Sequence, residues 1–366
     1  MNTLRQKSSV IKDSYPIFFQ LGGVHENLPK QEVLAILEGE EYPYKVMENG
    51  TQYLIANTSL TCGYHTAFRA SYCRRSIRIL KKSNVSSTDT ISSITAAISR
   101  EIDFTNFFEK NESFLVRVYR IGKVNTKYLS TDLESSIGKV IWKQTKGKNK
   151  AKMKKPDIVF VLVFYDESYV FGKEIYSRQK GAFDERQANL RPFFKPGTLE
   201  PRFARLMVNL AKINSKSLLL DPFCGPGGIL VEGGLMGCEI IGSDIDSKMV
   251  TGARKNLQHY LPNTSYGLLL SDARDLPFTE SIHSIATDPP YGKSTSTFGK
   301  GIEDLLIQFF EEAHKVLVPG GIISIGMLSE VPLQQIVEEA GYKLEIYEKM
   351  YIHKSLTRRV GVCRKV

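Results

Sequence analysis

Residues 217–244, SLLLDPFCGPGGILVEGGLMGCEIIGSD, combine a short apolar strand, a glycine-rich turn, a helix and a second strand. The alternation continues after this stretch, with predicted helices at 248–260 and 302–318 and predicted strands at 266–270, 282–287 and 321–325. Strands separated by helical segments are typical of a doubly wound, mostly parallel sheet. The sequence therefore predicts an α/β fold for the C-terminal part of the chain.

The turn DPFCGPGG at 221–228 is the first candidate ligand site. Its glycines allow the backbone to approach a ligand closely and leave N–H groups available at the start of the next helix. The spacing is not a dinucleotide fingerprint, because Leu230 stands where the third glycine would be. An acid at the start of the turn would also repel a pyrophosphate. The residues expected to contact a cofactor without a pyrophosphate are Asp221, Phe223, Gly225 and Gly227.

Acids also follow the next two predicted strands. Asp244 comes after the strand 239–242, where it is placed to accept hydrogen bonds from both hydroxyls of a ribose. Asp272 comes after the strand 266–270, where it could accept a hydrogen bond from an adenine amino group. Asp246 is a weaker candidate, because an acid at this position is more typical of a helix cap. Together these residues predict a ligand cleft at the carboxyl edge of the sheet.

The tetrapeptide Asp288-Pro289-Pro290-Tyr291 follows the apolar strand 282–287. Two successive prolines cannot continue a sheet ladder or lie inside a helix, so they fix a rigid corner. The corner offers a carboxylate, two carbonyls and a flat phenol, which suit the binding of a planar base while its NH2 group is attacked. Taken alone, the tetrapeptide also fits an ordinary proline-rich turn. The acids and glycines at the preceding strand ends favour the ligand site.

The charge of the chain is unevenly distributed. Residues 1–216 carry 35 Lys and Arg against 21 Asp and Glu, whereas residues 217–366 carry 14 against 18. A basic front half joined to a mildly acidic back half suggests a polyanion-binding module followed by a catalytic module. A solvated basic surface is the alternative interpretation.

The cysteines and the apolar runs exclude several classes of protein. The five cysteines form no C-x-x-C pair, which argues against a zinc site and against a disulfide framework. The longest apolar run, at 158–165, is about eight residues long, far shorter than a membrane span. The first 14 residues have no apolar signal-peptide region. We therefore expect a cytoplasmic protein without a metal and without a membrane partner.

The front half divides into two predicted α/β units and a linker. Residues 15–80 follow the β-α-β-β-α-β order of a ferredoxin-like unit, with a hairpin turn at Glu48-Asn49-Gly50 and a second helix at 65–75. A further unit begins near Ser83, where Thr88 or Thr90 is placed to cap a helix. The predicted divisions are a ferredoxin-like unit at 1–82, an RNA-binding unit at 83–176, a linker at 177–197 and the catalytic domain at 198–366.

Two groups of basic residues are candidates for contact with nucleic-acid phosphates, which would give salt-dependent binding with little sequence reading. The first group is a lysine run that extends from 143 to 155, and the second is a cluster of arginines between 69 and 78. A solvated, mobile loop is an equally good interpretation of the individual lysines. The residues proposed to bind RNA are Lys143, Lys146, Lys148, Lys150, Lys152, Arg74 and Arg75.

The strand-end acids and the corner at 288–291 resemble the class I S-adenosylmethionine-dependent amino-methyltransferases. The flanking segments are similar to tRNA guanine-10 N2-methyltransferases in particular. These segments are Arg191-Pro192-Phe193, Pro201 to Arg205, Val208 to Ala211, Tyr291 to Thr295 and His353 to Arg358. The resemblance covers roughly residue 181 to the C-terminus, with one departure, since the family more often has Arg where this chain has Lys293. It implies a Rossmann-like methyltransferase sheet preceded by ferredoxin-like and THUMP units that bind RNA.

The resemblance also implies a cofactor, a substrate and residue roles. The cofactor is S-adenosyl-L-methionine, and the substrate is the N2 amine of guanine 10 in tRNA. In this family's pattern the corner Asp288, Pro289, Pro290 and Tyr291 binds the target amine, and Tyr291 stacks on the base. Some relatives act with a small activating protein, so such a partner is compatible with the resemblance. The corner alone also fits another tRNA or rRNA guanine, a DNA adenine or cytosine, or a non-catalytic tRNA-binding protein.

Overall fold

Two seven-stranded sheets organise the chain in the computed structural model, which describes residues 13–122, 124, 128–290, 300–328, 331–353 and 356–366. The elements up to residue 177 are β1 Tyr15–Leu21, α1 Leu28–Gly39, β2 Lys45–Gly50, β3 Tyr53–Thr58, α2 Leu60–Arg69, β4 Cys73–Asn84, α3 Ile91–Glu101, β5 Phe114–Ile121, α4 Ser130–Gln144, β6 Ile158–Tyr165 and β7 Ser168–Ser177. The later elements are α5 Pro201–Leu210, β8 Leu218–Asp221, α6 Gly228–Leu235, β9 Glu239–Asp244, α7 Ser247–Tyr260, β10 Tyr266–Leu270, β11 Ile282–Thr287, α8 Lys300–Val316, β12 Leu317–Leu328, α9 Leu333–Glu339, β13 Tyr342–His353 and β14 Leu356–Lys365.

The chain folds into two units. The first contains the residues up to Gly23 together with Pro43–Phe68 and Cys73–Arg178. The second contains Val24–Tyr42, Arg69–Tyr72 and Gln179–Val366.

The sheet of the first unit has the strand order β2-β3-β1-β4-β7-β6-β5. The long strand β4 pairs antiparallel with β1 on one side and with β7 on the other, so the ferredoxin-like strands and the strands that follow share one sheet. Strand β4 also runs across the predicted division between residues 82 and 83. The predicted cap of α3 is confirmed at Thr90, whose hydroxyl accepts a hydrogen bond from Ser93 N–H as part of a capping box.

The limits of two predicted elements of the first unit are wrong. The predicted hairpin is confirmed, but its turn lies at Thr51-Gln52, since Gly50 still pairs with Tyr53. Helix α2 begins at Leu60 and ends at Arg69, instead of spanning 65–75. The Ser59 hydroxyl accepts a hydrogen bond from Cys62 N–H (3.1 Å) and so caps the earlier start. Arg74 and Arg75 therefore lie on strand β4 and not on a helix.

The second unit contains the predicted doubly wound sheet, with the order β10-β9-β8-β11-β12-β14-β13. The five strands from β10 to β12 are parallel, as the sequence predicts. Strand β14 pairs antiparallel with β12 and with β13, an arrangement that the sequence pattern did not predict. In this register Arg358, near the start of β14, lies opposite Leu328 at the end of β12. The start of β14 therefore lies at the edge where the parallel strands end.

Helix α1 belongs to the second unit although it lies early in the chain. It packs on α5, and its buried Glu32 carboxylate accepts hydrogen bonds from the Asn209 side chain (2.7 Å) and from the backbone N–H groups of Ser71 and Tyr72. In the described part of the chain, no helix is long and apolar enough to span a membrane.

The segment before α5 is attached to the second unit through a buried carboxylate. Glu232 of α6 is fully buried and forms ion pairs with Arg186 (2.7 Å) and with Arg205 of α5 (2.7 Å). Phe183 of the same segment is also buried. The residues at 179–197 therefore belong to the second unit. The exact limits of the predicted domains stay a prediction.

We expect Glu232→Gln to lower the free energy of unfolding of the second unit by about 3–5 kcal/mol. The substitution keeps the volume of the side chain but removes the negative charge that pairs with the buried Arg205 guanidinium. Urea denaturation followed by far-UV circular dichroism measures the change. Glu239→Gln at an exposed position at the start of β9 is the matched control. A Glu232→Gln protein as stable as this control would contradict the prediction.

Candidate active site

Four acids stand at the carboxyl edge of the parallel strands. Asp221 and Asp244 are the last residues of β8 and β9, and Asp288 and Asp272 follow the ends of β11 and β10. Because these strands are parallel neighbours in the order β10-β9-β8-β11, their carboxyl ends lie along one edge. The charges of Asp244 and Asp288 both act on Asp221, so the three acids form one group.

Asp221 is the buried member of this group. Its Oδ1 accepts hydrogen bonds from the Thr287 hydroxyl (2.7 Å) and from Phe223 N–H (3.2 Å). Burial raises the pKa of Asp221 to about 8, and the neighbouring charges of Asp244 and Asp288 act in the same direction. The buried Asp221 side chain thus connects the end of β8 to the end of β11.

Asp244 connects the end of β9 to the glycine-rich turn. Its Oδ2 accepts a hydrogen bond from Gly225 N–H and its Oδ1 accepts one from Asp246 N–H, each 2.9 Å long. Gly225 has a φ of +48°, a conformation that a residue with a side chain rarely adopts. Asp246 accepts a hydrogen bond from Lys248 N–H (2.8 Å) at the start of α7, which confirms its predicted role as a helix cap.

The rest of the turn is packed against α7 and α8. Gly227 caps α6 with a φ of +80°, and a side chain there would come within 3.2 Å of the Ala253 Cβ. The Phe223 ring packs edge-on against the buried ring of Phe309, with 5.4 Å between their centroids. Phe223 is therefore a packing residue of the turn as well as a cofactor candidate.

Asn256 holds the segment before α5 against this turn. Its side chain accepts a hydrogen bond from Phe193 N–H and donates to the carbonyls of Phe193 and Pro226, each at 2.9 Å. The Phe193 ring also lies so close to Gly252 that a side chain there would come within 2.2 Å of it. Sequence reasoning missed Asn256. Its only signal is a polar residue on the apolar face of α7.

Asp272 has a local partner that the sequence analysis did not consider. Its Oδ2 lies 2.6 Å from Arg274 Nη2, and its Oδ1 accepts hydrogen bonds from Arg274 N–H and Nε–H (both 2.9 Å). The hydrogen bonds from the Arg274 side chain hold the pKa of Asp272 below its usual range. A ligand amino group at Asp272 would have to share the carboxylate with this arginine.

Asp288 forms an ion pair with a residue 70 positions away. Arg358 Nη1 of β14 donates to Asp288 Oδ2 at 2.6 Å, and only 12% of the Asp288 side chain and 9% of the Arg358 side chain are exposed. Arg358 belongs to a segment that the sequence analysis matched to a family, but no role was assigned to it. Arg358 was thus missed from the sequence although it is in direct contact with the candidate catalytic corner.

The two prolines of the corner line a small apolar recess. The other residues around this recess are Ile302, Leu305, Leu306, Gly326, Met327 and Val331. Tyr291 and Lys293 lie outside the described residues. His353 is the last residue of β13, and only its backbone is described.

The candidate RNA-binding residues all lie in the first unit. The lysines between 143 and 152 are exposed, and so is Arg74. Arg75 is already engaged, because its guanidinium forms an ion pair with Glu174 (2.7 Å) and lies 3.7 Å from the centre of the Tyr119 ring. Arg75 is thus the least available of the proposed phosphate contacts.

Comparison with known proteins matches two segments of the chain to domain families. Residues 81–171 match the THUMP domain, and residues 188–359 match the RMKL-like methyltransferase domain. A solved structure, SMU.472 complexed with SAH, has a TM-score of 0.53 at 14% identity and covers 96% of this chain and 98% of its own. This likeness confirms the Rossmann-like methyltransferase fold.

Two curated archaeal proteins match nearly the whole chain. The tRNA (guanine(10)-N2)-dimethyltransferase of Methanothermobacter thermautotrophicus is 34% identical over 93% of this chain and 97% of its own length. The protein of the same name from Methanocaldococcus jannaschii is 31% identical over 96% of this chain and 100% of its own length. The chain therefore belongs to the archaeal-type tRNA (guanine(10)-N2)-methyltransferase family, in which a THUMP domain precedes a methyltransferase domain.

Proposed function

We propose that this protein transfers methyl groups from S-adenosylmethionine to the N2 amine of guanine 10 in tRNA. The observation that carries the proposal is the Asp288 corner, which is held by Arg358 at the same sheet edge as Asp244 and the glycine-rich turn. The names of the two archaeal relatives support guanine 10 as the target and support the addition of two methyl groups.

The residues at this edge fit S-adenosylmethionine. A side chain added to Gly225 would meet no atom within 4 Å, so the turn leaves open space next to Asp244. The Asp244 carboxylate, at the end of the second parallel strand, is the expected acceptor for ribose hydroxyls. The cofactor lacks a pyrophosphate, which agrees with a turn that begins with an acid. When bound, it supplies a methyl group on a positively charged sulfur.

Asp288 is the proposed acceptor for the target amine. The lone pair of the guanine N2 amine is delocalised into the ring, so the nitrogen is a poor nucleophile. Hydrogen bonds from N2–H to the Asp288 carboxylate and the Pro289 carbonyl would hold the nitrogen and stabilise the charge that develops as the C–N bond forms. Asp288 is also placed to accept the proton that the amine then releases.

Arg358 is the proposed positioning residue for Asp288. The guanidinium fixes the direction of the carboxylate through a short, charge-assisted hydrogen bond. An adjacent positive charge also favours the ionised form of a carboxylate, which carries no proton of its own and acts only as an acceptor at both oxygens. The rigid prolines and the antiparallel strand β14 therefore act together to present one acceptor in one orientation.

The target guanine must leave its stack to reach such a corner. In the proposal Tyr291 stacks on the extruded base, and the first unit holds the tRNA through its exposed lysines. Asp272 is proposed to contact the adenine end of the cofactor while shared with Arg274.

The substrate assignment predicts that methyl transfer depends on guanine at position 10. Unmodified tRNA transcripts with G or A at this position are incubated with labelled S-adenosylmethionine. In each transcript the base opposite position 10 is chosen so that the two bases pair. We expect label in the G10 transcript only. Nucleoside mass spectrometry should find N2-methylguanosine and then N2,N2-dimethylguanosine. Equal labelling of the two transcripts would refute the site assignment.

The role of Asp288 predicts that Asp288→Asn lowers kcat by at least about 100-fold, because the amide cannot supply the charge that stabilises the transition state. The affinity for S-adenosylhomocysteine, measured by calorimetry, should stay within about twofold of the wild-type value, since the variant keeps the shape of the side chain. Loss of cofactor binding in Asp288→Asn would mean that Asp288 belongs to the cofactor site.

The role of Arg358 predicts that Arg358→Gln lowers kcat by about 100-fold, because the carboxylate loses its fixed orientation. Arg358→Lys should recover part of this loss. The acid limb of the kcat–pH profile should move to higher pH in Arg358→Gln, since a carboxylate takes up a proton more readily when the adjacent positive charge is removed.

The matched control for this variant is Arg359→Gln, the next residue of β14, whose guanidinium lies over the Tyr347 ring (4.5 Å). Neighbouring residues of a strand face opposite sides of the sheet. We therefore expect the control to keep the wild-type kcat and pH profile. An unshifted acid limb in Arg358→Gln would reduce Arg358 to a structural role.

A further inference from the structure

The single tryptophan of the chain lies on the surface of the first unit. Trp142, near the end of α4, is 57% exposed, although Leu133, Ile137 and Ile141 of the same helix are buried. Tryptophan is a residue that proteins usually bury to a large extent. A single exposed apolar side chain needs no functional explanation. Whether Trp142 has a function must therefore be judged from the residues around it.

The loop after α4 folds back on the indole. Gly147 N–H donates to the Trp142 carbonyl (2.8 Å), after Lys146 and Gly147 adopt φ values of +53° and +72°. A side chain on Gly147 would come within 3.3 Å of the indole ring. The glycine thus brings the loop against one side of the ring, while more than half of the residue stays accessible.

The end of α4 and the loop that follows it carry charges of one sign only. Residues 139–155 contain eight lysines and no acid. All eight are exposed, and within the described residues none of them forms an ion pair with an acid. The lysines are Lys139, Lys143, Lys146, Lys148, Lys150, Lys152, Lys154 and Lys155.

The backbone of this lysine run is fixed, in contrast to the mobile loop that the sequence also allowed. The buried Asn149 side chain donates to the Glu112 carbonyl (2.8 Å). Phe114 N–H donates to the Lys150 carbonyl (3.0 Å), and Lys152 N–H donates to the Phe114 carbonyl (2.8 Å). The loop is therefore bound to the start of β5. The lysines flank Trp142 in the chain and lie on a preorganised support, which lowers the entropic cost of binding.

We propose that Trp142 and the flanking lysines form a binding site for an unpaired nucleotide of RNA. The base stacks on the exposed side of the indole, and the lysines contact the adjacent phosphates. A base inside a duplex is already stacked between its neighbours and cannot reach the ring, so the ligand is single-stranded. The proposal rests on the proposed function only in taking the natural RNA to be tRNA.

The composition of the site favours RNA over a protein partner. Lysines without acids provide point charges for phosphates but no acceptors in their side chains for the varied donors of a protein surface. A second exposed aromatic cluster of the first unit has no comparable run of lysines in its sequence. There Tyr64 and Phe68 pack on each other and on Tyr176, and the Arg178 guanidinium near the Tyr176 ring donates to the carbonyls at the end of α2.

Tryptophan fluorescence tests the site directly, because Trp142 is the only tryptophan in the protein. The full-length protein is titrated with a mixed-sequence single-stranded RNA, with a blunt duplex of the same sequence and with an unmodified tRNA transcript. We expect the single strand and the tRNA to quench the emission, and the duplex to quench it much less. Equal quenching by the duplex and the single strand would overturn the stacking.

Substitutions test the contribution of the ring to affinity, measured by anisotropy of a labelled single-stranded RNA. Trp142→Ala should weaken binding by about 5- to 100-fold, whereas Trp142→Phe should retain most of the affinity. Leu129→Ala, an equally exposed apolar residue at the other end of α4, is the matched control and should change nothing. Lys148→Gln should lower the salt dependence of binding by about one phosphate contact.

The outcomes separate this site from the proposed function. A Trp142→Ala protein that binds single-stranded RNA as tightly as the wild type refutes the site, even if guanine 10 is methylated. Conversely, quenching by RNA together with methylation of another nucleotide leaves the site intact and refutes the proposed target. Quenching by an acidic polypeptide but not by RNA would overturn the assignment of the ligand.

Discussion

The hydrogen bond from Thr287 to Asp221 joins the carboxyl ends of β11 and β8, and the candidate site is assembled around it. Strand β8 lies between β9 and β11, so Asp221 lies between the strands that carry Asp244 and Asp288. Burial raises the pKa of Asp221 to about 8. The raised pKa reduces the negative charge between Asp244 and Asp288, the two acids proposed to bind the ligands, and Thr287 holds the Asp221 side chain in place.

The parts of the fold that could be predicted are those with strong local signals. Strands β10 and β11 match their predicted limits to the residue, because turn-forming residues flank each of them. The limits of α2 were wrong, since a cap at Ser59 and the long strand β4 outweighed the local apolar spacing. The antiparallel strand β14 was missed because its pairing joins residues far apart in the chain, and no local pattern records such pairing.

The residues of the candidate site also differ in whether a local sequence pattern predicts them. The acids at strand ends were found from the sequence, since a polar residue directly after a buried strand is a local pattern. Two residues that hold the site together were not found, because Arg358 pairs with Asp288 and Asn256 bonds Phe193, 70 and 63 positions away in the chain. The exception is Arg274, which is only two residues from Asp272 and could have been considered from the sequence alone. The acids at strand ends can thus be predicted from the sequence, whereas the residues that orient them can be identified only from the folded structure.

The charges of the two parts of the chain suggest how affinity and selectivity are separated. Residues 139–155 carry eight lysines and no acid, a composition that favours contacts with phosphates over sequence reading. At the sheet edge with Asp221, Asp244 and Asp288 the negative charge is reduced, because Asp221 has a raised pKa and Asp288 is paired with Arg358. This edge offers hydrogen-bond acceptors, which suit a neutral base whose amino group donates hydrogen bonds. In the proposed function, the lysines therefore supply affinity for the RNA, and the acceptors at the sheet edge select the amine that is methylated.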